Sequence, residues 1–198
     1  MQKIFIVHRI DRDTSGLVVF AKDSETHKTL SAAFENRSIK KLYIAAAQGR
    51  PSWKETVCDL PLVPNGNKQH HTIIDRYQGK KSVTAFRLLY TAGNYSVVEA
   101  MPQTGRTHQI RVHLASLGHP VICDELYGNA KPLYLSKVKP NWRGNPEDER
   151  PLLARLGLHA AQLCIPGYAG LPEAGLELKA PLPRDMTAVV RQFEKCYN

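Results

Sequence analysis

SVTAFRLLYTAGNYSVVEAM, residues 82–101, reads as two strands joined by a tight turn. Ser82 to Tyr90 and Asn94 to Met101 are rich in β-branched and aromatic residues, and Ala92-Gly93-Asn94 supplies the reversal between them. Strands adjacent in sequence and joined this way pair antiparallel, which sets the character of the sheet. Working outward, KKLYIAAAQG (40–49) reads as a further strand and GLVVFA (16–21) as a short buried one. His159 to Ile165 and Leu176 to Ala180 add two more. A first helix is expected from an N-cap at Ser24, with His27, Leu30 and Phe34 at helical spacing. A second starts at about Thr107, buries Ile110, Leu114 and Leu117, and stops at Gly118 and Pro120. A third starts at about Arg184 on Met186, Val190 and Phe193. Residues 50–71, with three prolines, read as loop, and residues 128–151 as a long surface insertion. The class is α+β: a mixed, mostly antiparallel β-sheet flanked by a few helices and long loops.

The chain has 198 residues, enough for a single domain. Hydrophobic residues make up 42% and charged residues 23%, which excludes a disordered or collagen-like chain. Apolar runs of five residues are far short of the ~20 that span a bilayer. The N-terminus turns charged after four apolar residues and lacks a secretory leader, so a cytoplasmic protein without membrane partners is expected. Cys58, Cys123, Cys164 and Cys196 form no CxxC pair and read as small hydrophobes. The net charge is +9 and the excess runs through both halves of the chain. A folded basic face, with nucleic acid as its leading partner, accounts for it.

Two stretches carry candidate chemistry. His8-Arg9-Ile10-Asp11-Arg12-Asp13-Thr14-Ser15-Gly16 places a carboxylate among arginines where a turn feeds a strand. That suits an ionised group held against a substrate, and it also suits a solvated loop with local turn bonds. In Gln103–His113 a glycine-containing loop opens a helix, whose first N–H groups and dipole favour an anion. His108 and Arg111, three apart, are expected to share a face, and Arg111 among apolar residues calls for a fixed acidic partner. His108, His113, His119 and Asp124 also read as metal ligands, although their spacing matches no strong zinc signature. Trp53 and Trp142 suit either base stacking or packing.

HRIDRDTSGL (8–17), KKLYIA (40–45), TGRTHQIRVHLASLGHPVICDELYG (104–128), GLHAAQL (157–163) and LELKAPLPRD (176–185) together resemble the RluA-type family of RNA pseudouridine synthases. The blocks come in the family's order and spacing and span nearly the whole chain. The resemblance implies the pseudouridine synthase catalytic fold over residues 1–198. It also implies isomerisation of specific uridines in rRNA or tRNA, with no cofactor and no metal. By motif, Asp11 corresponds to the catalytic aspartate, Arg111 to the arginine paired with it, and Tyr43 to the tyrosine lying against the uracil. A bidentate Arg111 would then keep Asp11 ionised and aimed.

His8, Arg9, Lys40, Lys41, Arg106 and His108 are candidate RNA contacts, with bracing of the Asp11 loop an equal role for His8, Arg9 and Arg106. Lys68-Gln69-His70-His71 and Arg76–Lys81 are further candidates for the RNA backbone. The target uridine is expected to flip out of its helix. Family members usually carry strands and often a small S4 RNA-binding domain before the HRxD motif, which here begins at residue 8. A domain lacking those N-terminal strands and any S4 domain, acting as a monomer, is therefore expected. A catalytically impaired RNA-binding fragment and a His/Asp metal-dependent hydrolase are the competing readings.

Overall fold

The computed structural model describes residues 3–67, 71–168 and 172–197. In chain order the elements are β1 (Phe5–Ile6), β2 (Ser15–Gly16), β3 (Phe20–Ala21), α1 (Ser24–Glu35), β4 (Lys40–Gln48), β5 (Glu55–Asp59), β6 (Leu62–Val63) and β7 (Ile73–Ile74). They continue with β8 (Val83–Ala92), β9 (Tyr95–Pro102), α2 (Gln109–Ser116), β10 (Leu158–Ile165), β11 (Leu176–Lys179) and α3 (Arg184–Tyr197). A seven-stranded sheet runs β11-β10-β4-β9-β8-β5, with β2 added beside β10 as its parallel strand. β1 pairs with β3 and β6 with β7 in separate two-stranded ribbons. The α+β class and the antiparallel bias of the sheet follow the sequence. Among the described residues, no helix is long and apolar enough to cross a membrane.

The central strands alternate between two cores, as a pleat requires. Val98 and Ala45 pack with Ile110 and Leu114 of α2, while Val97 and Ala46 pack with Met186, Val189 and Phe193 of α3. Three consecutive alanines, Ala45 to Ala47, let both layers approach β4 closely. α1 closes a third cluster, with Leu30 and Ala33 against Leu163 and Ile165 of β10.

Several local expectations are corrected. GLVVFA is not one buried strand: it is split between β2 and β3, and Phe20 is 53% exposed. The break arises at Gly16, which sits at φ +116° with its α-carbon so close to β10 that a Cβ would lie 2.2 Å from the Ala160 carbonyl oxygen. The chain pairs with β10 there and then turns away. α1 is capped by Asp23 rather than Ser24, with Asp23 Oδ1 accepting from the Thr26 amide at 2.8 Å. Residues 50–71 hold β5 and β6, two strands missed because prolines flank them. The 128–151 segment is docked as well as exposed: Leu133 and Val138 are buried in the α3 core.

Candidate active site

Asp11 lies on the loop between β1 and β2, in a turn closed by the Thr14 amide bonding to the Asp11 carbonyl at 3.0 Å. Leu17 N–H bonds the Ala160 carbonyl just beyond, so the loop is anchored to β10 within six residues of Asp11. Arg111 approaches from α2. Its side chain is 8% exposed, and Nη1 reaches Asp11 Oδ2 at 3.3 Å. The bidentate partner of Arg111 is not Asp11, as expected, but Asp124, whose two oxygens accept from Nε and Nη2 at 2.8 Å each. Asp124 Oδ1 also accepts from the Leu126 and Tyr127 amides.

The cluster is thus one guanidinium between two carboxylates. Burial opposes the Arg111 charge, but Asp124 and then Asp11 outweigh it and hold the group above its ordinary value. Burial likewise opposes the Asp124 charge and the Arg111 bonds overcome it, so that carboxyl sits below its usual range. A carboxylate held so firmly by Arg111 leaves Asp11 as the one with a free edge toward the cleft.

That cleft has a volume of about 520 Å³ and is lined by His8, Arg9, Asp11, Lys41, Tyr43, Arg106 and His108. Tyr43, on the α2 side of β4, has its hydroxyl pushed up to about 12 by burial and by the Asp11 charge, so it stays protonated at neutral pH. His8 stacks on Phe34 at 4.5 Å, and its Nε2 accepts from the Val19 amide at 3.0 Å. That bond makes it a brace for the loop as well as part of the wall. Arg9 is exposed along the rim, and Arg106 is tied to the Lys81 carbonyl at 3.4 Å. Lys40 stands outside the cleft lining. Lys68, Gln69 and His70 lie outside the described residues, whereas Tyr77, between Arg76 and Lys80, is 98% exposed.

The loop opening α2 is shaped by Gln109, which is buried. Its Oε1 accepts from the Thr104 hydroxyl and the Arg106 amide, and its Nε2 donates to the Val83 carbonyl and Thr84 Oγ1. His108 does not share the helix face with Arg111: it precedes the helix in the left-handed region at φ +53°. Its Nδ1 is 2.9 Å from the Tyr127 hydroxyl, which also accepts from the Thr72 amide. The Tyr127 ring covers the Arg111 guanidinium at 5.2 Å. Burial is the largest influence on His108 and keeps it below its ordinary value.

Asp124 as a clamp and Tyr127 were missed in the sequence. The available signal was an acid and an aromatic ending an apolar run, Val121 to Tyr127. The metal reading loses its geometry: His113 is engaged by Thr84 and the Leu60 carbonyl, His119 by the Gln48 carbonyl, and Asp124 by Arg111. Trp53 packs beside Phe86 and His119, so it belongs to the core.

The profile of a family described as RNA pseudouridylate synthase matches residues 1–116. This chain belongs to the RNA pseudouridylate synthase family. It is 38% identical over 191 residues to the ribosomal large subunit pseudouridine synthase D of Zymomonas mobilis, covering 95% of this chain and 56% of that protein. It is 35% identical over 178 residues to the ribosomal large subunit pseudouridine synthase C of Vibrio cholerae, covering 89% and 51%. The chain spans about half the length of these curated relatives. Among solved structures, human RNA pseudouridylate synthase domain containing 1 superposes with a TM-score of 0.72 at 29% identity, covering 91% of this chain and 70% of that one. The arginine-clamped cluster of this pseudouridylate synthase family member therefore sits on the family's fold.

Proposed function

We propose that the chain isomerises uridine to pseudouridine in RNA, with Asp11 as the catalytic carboxylate. The observation that carries this reading is the geometry around Asp11: Arg111 behind it at 3.3 Å, a protonated Tyr43 beside it, and a cation-lined cleft in front. The reaction breaks the N1–C1′ bond, turns the uracil and rejoins it through C5. A carboxylate fixed by Arg111 serves by attack on a carbon of the nucleotide or by taking a ribose proton. Tyr43 offers a flat face for the detached base and a hydroxyl that retains its proton at neutral pH. A half-buried cleft limits water, which would otherwise intercept the cleaved intermediate.

The substrate we assign first is ribosomal RNA of the large subunit, on the names of the two relatives, with tRNA second. The residues described need neither cofactor nor metal for these steps, and a cytoplasmic monomer is the working form. His8, Arg9, Arg106 and His108, which line the cleft, are assigned the role of holding the flipped nucleotide and its neighbours. The test is release of tritium from RNA carrying 5-tritiated uridine, which forming a bond to C5 requires. Release by the wild-type chain and none by Asp11→Asn is expected. RNA binding with no release would favour the second reading, an RNA-binding chain impaired in turnover.

A further inference from the structure

Arg37 and Lys41 line the cleft, and both also line a second groove of about 690 Å³ that carries Lys40 and Lys81 as well. Leu42 and Tyr43 are neighbours on β4 and point to opposite faces of the sheet. The second groove, which includes Leu42, therefore lies behind the sheet from Tyr43. Its floor is a row across the strands, with Leu42 opposite Gln162 and Met101 opposite Ala85. Val57, 60% exposed, continues the row on β5. α3 covers the same face further along, around Val97 and Ala92.

No carboxylate lines this groove, whereas Glu55 and Glu99 line the adjoining hollow around Val57 on the same face. Among the described residues none of its four cations belongs to an ion pair. Arg37 and Lys41 sit where groove and cleft join, and Lys41 is half-buried. Burial first, and Arg37 second, hold the Lys41 ammonium below its ordinary value. Glu35 lines the cleft near them, but among the described residues it forms no ion pair with either. Two cations crowded at a neck with no paired acid are stabilised by an anion placed between them. Space for one exists on one side: a Cβ on Gly105 would stand 3.4 Å from Lys41 Nζ, so glycine leaves the ammonium accessible. Arg37 is held at φ +59° by the turn that ends α1, its amide bonding the Phe34 carbonyl at 3.2 Å.

We infer that Arg37 and Lys41 form a phosphate subsite for the RNA strand flanking the nucleotide in the cleft, leading it around the strand ends into the rear groove. This rests on the RNA reading above. Lys40 and Lys81 then flank the backbone, and the Leu42–Met101–Ala85 floor meets the faces of the unstacked bases. Single-stranded RNA is the occupant because the groove has cations on its rim, no acid, and continuity with the cleft.

The test is binding of a fluorescent oligouridylate on the order of 10 nucleotides, measured against salt concentration. The variants are Lys41→Met, which keeps the stem's packing, and Arg37→Asn, which tolerates the positive φ. Each should lower affinity severalfold and reduce the log–log salt slope by about 0.7, the share of one phosphate on a single strand. Lys195→Met, on the exposed part of α3, should leave the slope unchanged. A 4-thiouridine oligonucleotide should photo-crosslink to the peptide containing Met101. Wild-type slopes in both neck variants, with folding checked by circular dichroism, would overturn the subsite while leaving RNA binding intact. Failure of the wild-type chain to bind the oligonucleotide at all would overturn the RNA reading and this inference together.

Discussion

Two arginine–aspartate clamps hold the Asp11 loop, and they differ in burial and in charge. At one end Arg111 is bidentate to Asp124 and reaches Asp11, with the Arg111 side chain 8% exposed and Asp124 fully buried. At the other end Arg155 is bidentate to Asp185, each side chain 33% exposed, and its Nη1 reaches Ser15 Oγ at 3.3 Å. The Arg155 pair is neutral and ends on a hydroxyl. The Arg111 cluster has one carboxylate more than it has cations, and the surplus one faces the cleft. The same device therefore fastens a loop in one place and presents a free carboxylate edge to the cleft in the other, and the number of acids decides which.

The sharpest break of this comparison is Asp11→Asn. It removes the surplus charge and should abolish pseudouridine formation, read by tritium release, with RNA affinity within a few-fold of wild type. Because Arg111 keeps Asp124, the melting temperature should change little, contrary to what a sole Asp11–Arg111 pair would require. Next is Asp124→Ala, which leaves a buried guanidinium with a single weak partner and frees two amides. Breaking a buried pair costs about 3–5 kcal/mol, so a large loss is expected in urea denaturation as well as in turnover. An Asp124→Ala protein as stable as wild type would sink the clamp.

The outer clamp should respond far less. Asp185→Asn is expected to cost about 0.2–1 kcal/mol, the range for partly exposed pairs, with only partial loss of turnover through Ser15. Tyr127→Phe keeps the ring over Arg111 and removes the hydroxyl shared by His108 and Thr72. A stability loss of about 0.5–1.5 kcal/mol and a modest fall in kcat should accompany it.

Acid should separate the two kinds of group in order. Burial holds His8, His113 and His159 below 6.5 in the folded chain. The unfolded chain then binds more protons, so stability declines as pH falls below about 6.5. Asp124 and Asp185 are held below 3.8, so their contribution is intact above that value and lost as pH falls further. Melting temperatures measured across this range should fall in those two stages.

The sequence by itself determined what is local or carried by a contiguous block. The hairpin of β8 and β9, β4, and the three helices follow from side-chain periodicity and turn residues that act within a few positions. The motif around Asp11 announced a carboxylate among arginines, and the one around Arg111 a charged group in an apolar setting. Tertiary structure decided the rest, because pairing depends on neighbours distant in the chain. β5 is a strand because Glu55–Asp59 lies along Val83–Arg87, whatever its flanking prolines suggest. GLVVFA breaks because Gly16 meets Ala160, some 144 residues on. Arg111 has Asp124 as its principal partner because the turn after α2 brings that acid back beneath the helix, while Asp11 arrives from 100 residues away. Periodicity records which side of an element is apolar; it carries no information on which of two carboxylates will reach a buried cation first.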